Sequence, residues 1–179
     1  MSLGYIKFSI KSKLQQFFIR INLRRQGHVL GKDCFISQNT IFSGENVIGD
    51  RTMVGSNVVL KQGASVGSFS NISNITVGES STLDTGVICT GFGDGRIIIG
   101  EECYIGINNV LDWSNNITIG NFVHIAGPST GLWTHTSVKM CLYGVRIKDK
   151  TEKFRPTSPI VIEDNVYIGP GVIILPNVT

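Results

Sequence analysis

An all-β fold, wound from short strands stacked side by side, is predicted by three features of this sequence. A large apolar residue returns every sixth position, a small or β-branched residue usually follows four places later, and glycine often stands directly after the large one. From Leu30 the series runs Leu30, Ile36, Phe42, Ile48, Val54, Leu60, Val66 and Ile72 without a break. Later phases read Val77, Leu83, Cys89, then Ile99, Ile105, Leu111, then Ile119, Ile125, and finally Ile162, Ile168, Ile174. The position four on holds Cys34, Thr40, Asn46, Thr52, Val58, Ala64 and Ser70, and later Cys103, Val123, Val166 and Val172. One large and one small residue per six fits two inward positions per short strand, with glycine relieving the turn between strands. Three such strands make a triangular coil of about 18 residues, and stacked coils bury a continuous aliphatic column. A β-sandwich would show irregular strand spacing and period-two alternation, which the unbroken series at six excludes.

Composition narrows the function. The chain has 179 residues, 41% hydrophobic and 16% charged, with 21 glycines, which suits one domain of strands and turns with few solvated helices. Six of the 16 basic residues, Lys7, Lys11, Lys13, Arg20, Arg24 and Arg25, lie in the first 26 positions with no acid among them. The remaining 10 face 13 acids, a net −3, so the body carries no basic stripe for nucleic acid. Cys34, Cys89, Cys103 and Cys141 lack CxxC spacing and paired histidines, which argues against zinc and for a reducing cytoplasm. No run of roughly 18 apolar residues exists to span a membrane, and the N-terminus lacks the pattern of a secretion signal.

Residues 5 to 26 read as a helix with Ile10, Leu14, Phe17, Phe18 and Ile21 on one face and basic residues on the other. Such a helix either rests on an anionic membrane surface or caps the first coil. The unpaired edge of that coil needs covering, which favours the cap. The division expected is therefore a cap over 1–28 and a coil domain over 29–179. Farther on, "TGFGDGRI" (90–97) is a glycine-rich turn between coils, with neither the following helix nor the lysine of a phosphate-binding loop.

"VIGDRTMVGSNVVLKQGASVGS" and "VIEDNVYIGPGVIILPNVT" resemble the hexapeptide-repeat acyltransferases. The resemblance covers residues 30 to 179 and implies a left-handed parallel β-helix, although the usual crossover rule favours right-handed connections. It also implies a homotrimer with active sites between subunits, and transfer from acetyl-CoA as co-substrate, without a metal. The acceptor implied is a small-molecule sugar, destined for a bacterial surface polysaccharide, and the expected location is the cytoplasm; the inner face of the membrane is the alternative that the basic helix itself, and not the resemblance, offers. Members of the family usually continue for further coils where this sequence stops at Thr179.

The rhythm breaks over about 127–160, where "GPSTGLWTHTSVKMCLYG" carries His135. A loop this long in a compact repeat is functional or disordered, and this one is too aromatic and apolar to be a tether. Of the other histidines, His28 precedes the repeat as a helix-end or surface residue, and His124 occupies an outward position. In the family a catalytic histidine follows the "IGxxVxIA" coil by about ten residues. "ITIGNFVHIAGPSTGLWTHTS" puts His135 there, with Thr136 and Ser137 where the family often shows a second histidine or an aspartate. An imidazole with an ordinary pKa near ~6.5 suits proton removal from an attacking hydroxyl. A covalent route through Cys141 is disfavoured against a small packed cysteine.

For the acceptor, the resemblance implies Asn108 and Asp112 in "INNVLDW", with Asn109 the alternative to Asn108, and Trp133 reaching over the cleft with the loop. Asn and Asp at turns also serve simply to bond backbone. For the donor it implies Tyr167 in place of a family tryptophan, with main chain around Gly169 and Gly171 approaching the pantetheine arm. Two other readings remain: N-acetylation of an amino-sugar nucleotide, and a catalytically silent β-helix scaffold. A carbonic anhydrase of the same fold needs three matched zinc histidines, which His28, His124 and His135 cannot supply.

Overall fold

A computed structural model describes residues 3–146, 148 and 153–177, with side chains from Ser12 onward. A helix, Leu3–Arg25, precedes twenty short strands, and a second helix, Val138–Leu142, interrupts them before the last three. The strands form three parallel sheets of seven, seven and six strands, and each strand pairs with the third strand before and after it. The chain is thus a β-solenoid with six complete three-strand coils and two strands of a seventh.

Every large residue of the six-residue series on the first two sides points inward or lines the core. On the first side Leu30, Ile48, Val66, Leu83, Ile105, Ile125 and Ile168 stack in register. On the second, Ile36, Val54 and Ile72 stack, followed by Cys89, Leu111, Leu132 and Ile174. The third side has strands of three residues from the second coil on, so it adds two inward rows, such as Ile97 and Ile99 over Ile117 and Ile119. Most of these side chains are almost fully buried, which at roughly 1.5–3 kcal/mol each makes the column the main source of stability.

The small positions do more than save space. Several are polar, buried, and bonded to carbonyls of the next coil where the chain turns. Thr52 Oγ1 donates to the Gly67 carbonyl at 2.8 Å, Ser81 Oγ to that of Gly100 at 2.8 Å, and Cys34 Sγ to that of Gly49 at 2.9 Å. Glycine is demanded where turns stack closely: a Cβ on Gly78 would collide with the Gly100 carbonyl. Cys34, Cys89 and Cys103 belong to the core, and burial pushes the Cys89 thiol up to about 12.

The N-terminal helix covers the first coil. Gln16 pairs with Ile36 as a further strand would, its amide donating to the Ile36 carbonyl and accepting from the Ile36 N–H, each at 2.9 Å. Arg24 caps the Leu30 carbonyl at 3.0 Å, and Ile19 and Leu23 pack on the core. The covering face is therefore not the one expected. Leu14, Phe17 and Phe18 are exposed, and the side chain of Ile10 lies outside the described residues. His28 stands at the helix end, one of its two expected places, and not at the surface. It is buried at the helix end, stacked 4.7 Å from Phe42, and its Nδ1 accepts from the Asn46 N–H at 3.2 Å.

Two outcomes follow for stability. Gln16→Ala leaves a buried N–H and C=O of Ile36 without partners, so the unfolding free energy in urea should fall by about 1–3 kcal/mol. Burial lowers the pKa of His28 more than the Glu45 carboxylate raises it. The contribution of the neutral ring is then complete above its unfolded value near ~6.5 and is lost as pH falls through the lowered folded value. The thermal midpoint should drop between roughly pH 7 and pH 5, and drop less in His28→Asn, which keeps an acceptor but does not titrate.

Candidate functional site

Corners between the second and third sides are short in the early coils and enlarge in the fourth to sixth. They comprise residues 55–57 and 73–74 in the second and third coils, then 91–96, 113–116 and 134–159. The enlarged corners lie one above another along one edge of the prism, and each supplies part of a single cluster.

The strand Gly131–Trp133 continues the second side and pairs with Val110–Asp112 below it and with Ile173–Ile174 above. The break in the repeat therefore begins at Thr134, not at 127, because Leu132 sits inward seven residues after Ile125 rather than six. Past Trp133 the chain leaves the coil and returns through an antiparallel bridge between His135 and Thr157. Hydrogen bonds from Thr136 N–H to the Pro156 carbonyl and from Ser158 N–H to the Thr134 carbonyl close this neck. Asn115, from the corner below, reaches the Thr157 hydroxyl at 3.1 Å. Both ends of the excursion are thereby held, and His135 faces Arg155 across the neck.

Beneath His135 lies Asp112, fully buried. Its Oδ2 is 2.6 Å from His135 Nδ1 and accepts the backbone N–H groups of Thr134 at 3.0 Å and His135 at 3.1 Å. Its Oδ1 accepts the Ser114 hydroxyl at 2.6 Å and the Ser114 N–H at 3.2 Å. Burial alone would push this carboxyl up. The bonds from Ser114, His135 and Thr134, joined by the imidazole charge whenever His135 is protonated, outweigh burial and hold it below the ordinary carboxylate range. Asp112 is thus an ionised, acceptor-only group, so Nδ1 carries the proton of the pair.

The far side of the ring gives the same tautomer. Arg155 Nη2 stands 3.1 Å from His135 Nε2, and a guanidinium can only donate. Nε2 therefore presents its lone pair. Phe92 packs edge-on against the imidazole at 5.0 Å, and the Arg155 guanidinium lies 3.8 Å over the same phenyl ring. Trp133 closes another side, 6.3 Å from the imidazole. The imidazole, 18% exposed, is a neutral base with a fixed ring, an ionised carboxylate behind it and an aromatic wall beside it. Chemically this can accept a proton at Nε2 and hold the resulting imidazolium against Asp112.

The structure brings together His135, Asp112 and Trp133, and separates the other expected residues from them. Asp112 is sealed from solvent with both oxygens engaged by the chain, so it orients the histidine and does not line an acceptor pocket. Asn108 is exposed at the opposite end of its strand, at φ +56°, a corner position that other coils fill with Asp33, Arg51 or Phe69 at similar φ. Its alternative, Asn109, is buried and bonds the Ile125 and Ala126 carbonyls and the Thr130 N–H, a purely internal set. Tyr167 is exposed on the first side, stacked 5.4 Å from His124, which in turn stacks 4.7 Å from Tyr104. Gly169 and Gly171 follow at the next corner, with nothing close to where a side chain would stand. None of these three borders His135 within one chain. Cys141 lies exposed on the short helix rather than packed, and neither ring nitrogen of His135 is bonded to it.

Three site residues escaped sequence reading. Ser114 follows Asp112 by two, a spacing too common to stand out. Phe92 sits in the glycine-rich turn 90–97; a Cβ on Gly95 would collide with the Trp113 carbonyl, so the glycines let this turn lie flat on the corner below. Arg155 is one of several cations in the excursion, and only the neck selects it. Among the described residues no cluster of metal-ligating side chains occurs, and no helix is long and apolar enough to cross a membrane.

The molecule is a hexapeptide-repeat β-solenoid with a histidine–aspartate pair at one edge. No family model matches it. Among solved structures it is similar to a hexapeptide transferase family protein from Anaplasma phagocytophilum, with 13% identity and a TM-score of 0.36, over 84% of this chain and 76% of that one. It is also similar to a UDP-N-acetylglucosamine acyltransferase from Campylobacter jejuni, with 12% identity and a TM-score of 0.31, over 84% of this chain and 67% of that one.

The tautomer is directly measurable. Nitrogen-15 NMR of the imidazole should find the proton on Nδ1 of His135 at neutral pH. In Asp112→Asn, whose carboxamide can donate to Nδ1, it should move to Nε2.

Proposed function

We propose that this protein is an acyltransferase in which His135 is the general base, moving an acetyl group from acetyl-CoA to a hydroxyl of a sugar or polysaccharide precursor. The observation that carries the reading is the pair Asp112–His135, with Nδ1 held at 2.6 Å by a buried carboxylate and Nε2 left as the accepting atom. The resemblance of "ITIGNFVHIAGPSTGLWTHTS" to the acyltransferase pattern supports the same role.

The acceptor hydroxyl takes the place of Arg155 on Nε2, because that lone pair serves one donor at a time. As its oxygen attacks the thioester carbonyl carbon, its proton passes to Nε2, and Asp112 stabilises the imidazolium. Collapse of the tetrahedral intermediate breaks the carbon–sulfur bond, and the departing thiolate recovers the proton from Nε2. No acyl-enzyme forms, so Cys141 has no part in the step.

Donor contacts at Tyr167, Gly169 and Gly171 belong to this reading only with more than one copy of the chain, since a single chain does not join them to His135. A homotrimer, with the cleft between neighbouring subunits, meets that requirement. Exposed apolar side chains on all three outer faces, including Val29, Phe35, Ile41, Val47 and Met53, are in keeping with such contacts. Sedimentation equilibrium should return three times the chain mass.

Free-thiol release from acetyl-CoA over a panel of sugars, amino sugars and nucleotide sugars tests the activity. Release with a hydroxyl acceptor is expected, and His135→Ala should lower it about 10²–10⁴-fold. Asp112→Asn should lower it by a similar factor through the wrong tautomer. Release only with amino-sugar nucleotides would replace O-acylation by N-acylation. Release that is absent, or indifferent to His135, would leave the scaffold reading.

A further inference from the structure

From the N-terminal helix we infer a second function, independent of the edge site: its outer face docks the solenoid on an anionic lipid bilayer. Two stripes with the same helical spacing run along this helix. Gln16, Ile19 and Leu23 face the first coil and are used up there. Leu14, Phe17, Phe18 and Ile21, spaced i, i+3, i+4 and i+7, lie on the opposite side. Leu14 is 53% exposed, Phe17 57% and Phe18 64%, and the two phenyl rings meet edge-on at 5.8 Å. A helix that served only as a cap would carry polar residues on this side, where Leu14, Phe17 and Phe18 stay exposed.

The surroundings of the stripe identify what covers it. Lys13, Arg20 and Arg24 line a groove with Phe17, Ile21 and Phe35, and no acid contributes to its wall. Arg25 follows at the helix end, and the first acid in the sequence is Asp33. Among the described residues none of these cations forms a salt bridge. Aromatic and aliphatic side chains flanked by Lys and Arg without carboxylate partners match the boundary between acyl chains and anionic headgroups. A second copy of the same helix fits poorly, since pairing two such faces brings eight cations together across one contact. The helix lies across the open end of the first coil, so docking stands the prism on the bilayer. Asp112, in the fifth coil, is then four inter-strand spacings, or about 20 Å, farther from the bilayer than the first coil.

The test uses the whole chain and vesicles of phosphatidylcholine with or without phosphatidylglycerol. The wild type should co-sediment with the anionic vesicles, release as salt is raised, and stay in solution with phosphatidylcholine alone. Phe17→Ser/Phe18→Ser should lose binding while keeping the wild-type circular dichroism and melting curve, because both rings are exposed. Each of Lys13→Gln and Arg20→Gln should weaken binding about 5-fold. Phe18→Trp gives a readout that does not depend on the serine variants folding: its fluorescence should shift to the blue with anionic vesicles. Wild type that remains in solution with both vesicles overturns the inference, as does binding unchanged in the serine variant. A fall in assembly mass for that variant, without any vesicle binding by wild type, would assign the face to a second copy.

Discussion

Each coil of this chain sits on the next with its strands in register, and that stacking depends on a side of about six residues. Two inward positions and one corner fit in that length, and the corner must turn without leaving a backbone group unpaired in the interior. The aliphatic rows, the polar corner residues and the glycines all answer this one requirement. Where a corner carries Thr52 or Ser81, its hydroxyl takes a carbonyl of the next coil. Where two turns touch, as at Gly78 over Gly100, no side chain fits. The same regularity leaves the solenoid rigid and chemically bland along most of its length, because its outward residues are fixed by neighbours of similar type.

Chemistry arises where the requirement is relaxed. Only at the edge between the second and third sides do three successive corners lengthen, and a residue from one corner can then fold over the corner below. Asp112 would stand at an outward position of an ordinary coil, in water. Under the neck of the excursion it is sealed, receives donors from Thr134, Ser114 and His135, and stays ionised despite burial. A buried carboxylate with this many donors is costly to a fold that needs only an aliphatic column. Its cost is understandable when the histidine above it must hold one tautomer and one orientation. Arg155 completes the arrangement from the return limb, and its contact with Phe92 of the fourth coil ties three corners into one wall.

At the other end of the prism the opposite problem occurs. A first coil exposes N–H and C=O groups with no coil to receive them. Gln16 meets them with a side-chain amide, which carries a donor and an acceptor at the spacing of a strand. Beside Gln16, Ile19 and Leu23 of the same stripe pack on the core, while Leu14, Phe17 and Phe18 form a second apolar stripe turned outward.

What the sequence determined by itself was the architecture. A period of six is a local steric property of one side of a coil, repeated until it cannot be missed, so most of the inward rows from Leu30 to Ile174 were legible, but not Leu132 in the broken stretch nor the row Ile75, Ile97, Ile117 and Ile160 on the third side. His135 was legible as the histidine in the irregular stretch, although the exit from the coil lay later than the broken rhythm suggested. Its partners were not. Asp112 lies 23 residues earlier, Arg155 20 residues later, and Phe92 in a third corner. One coil's separation in sequence varies with the length of its corners, so no fixed spacing announces such a contact. Only the stacking of coils decides which side chains meet, and only the position of the first coil's open edge decides which face of the helix turns inward.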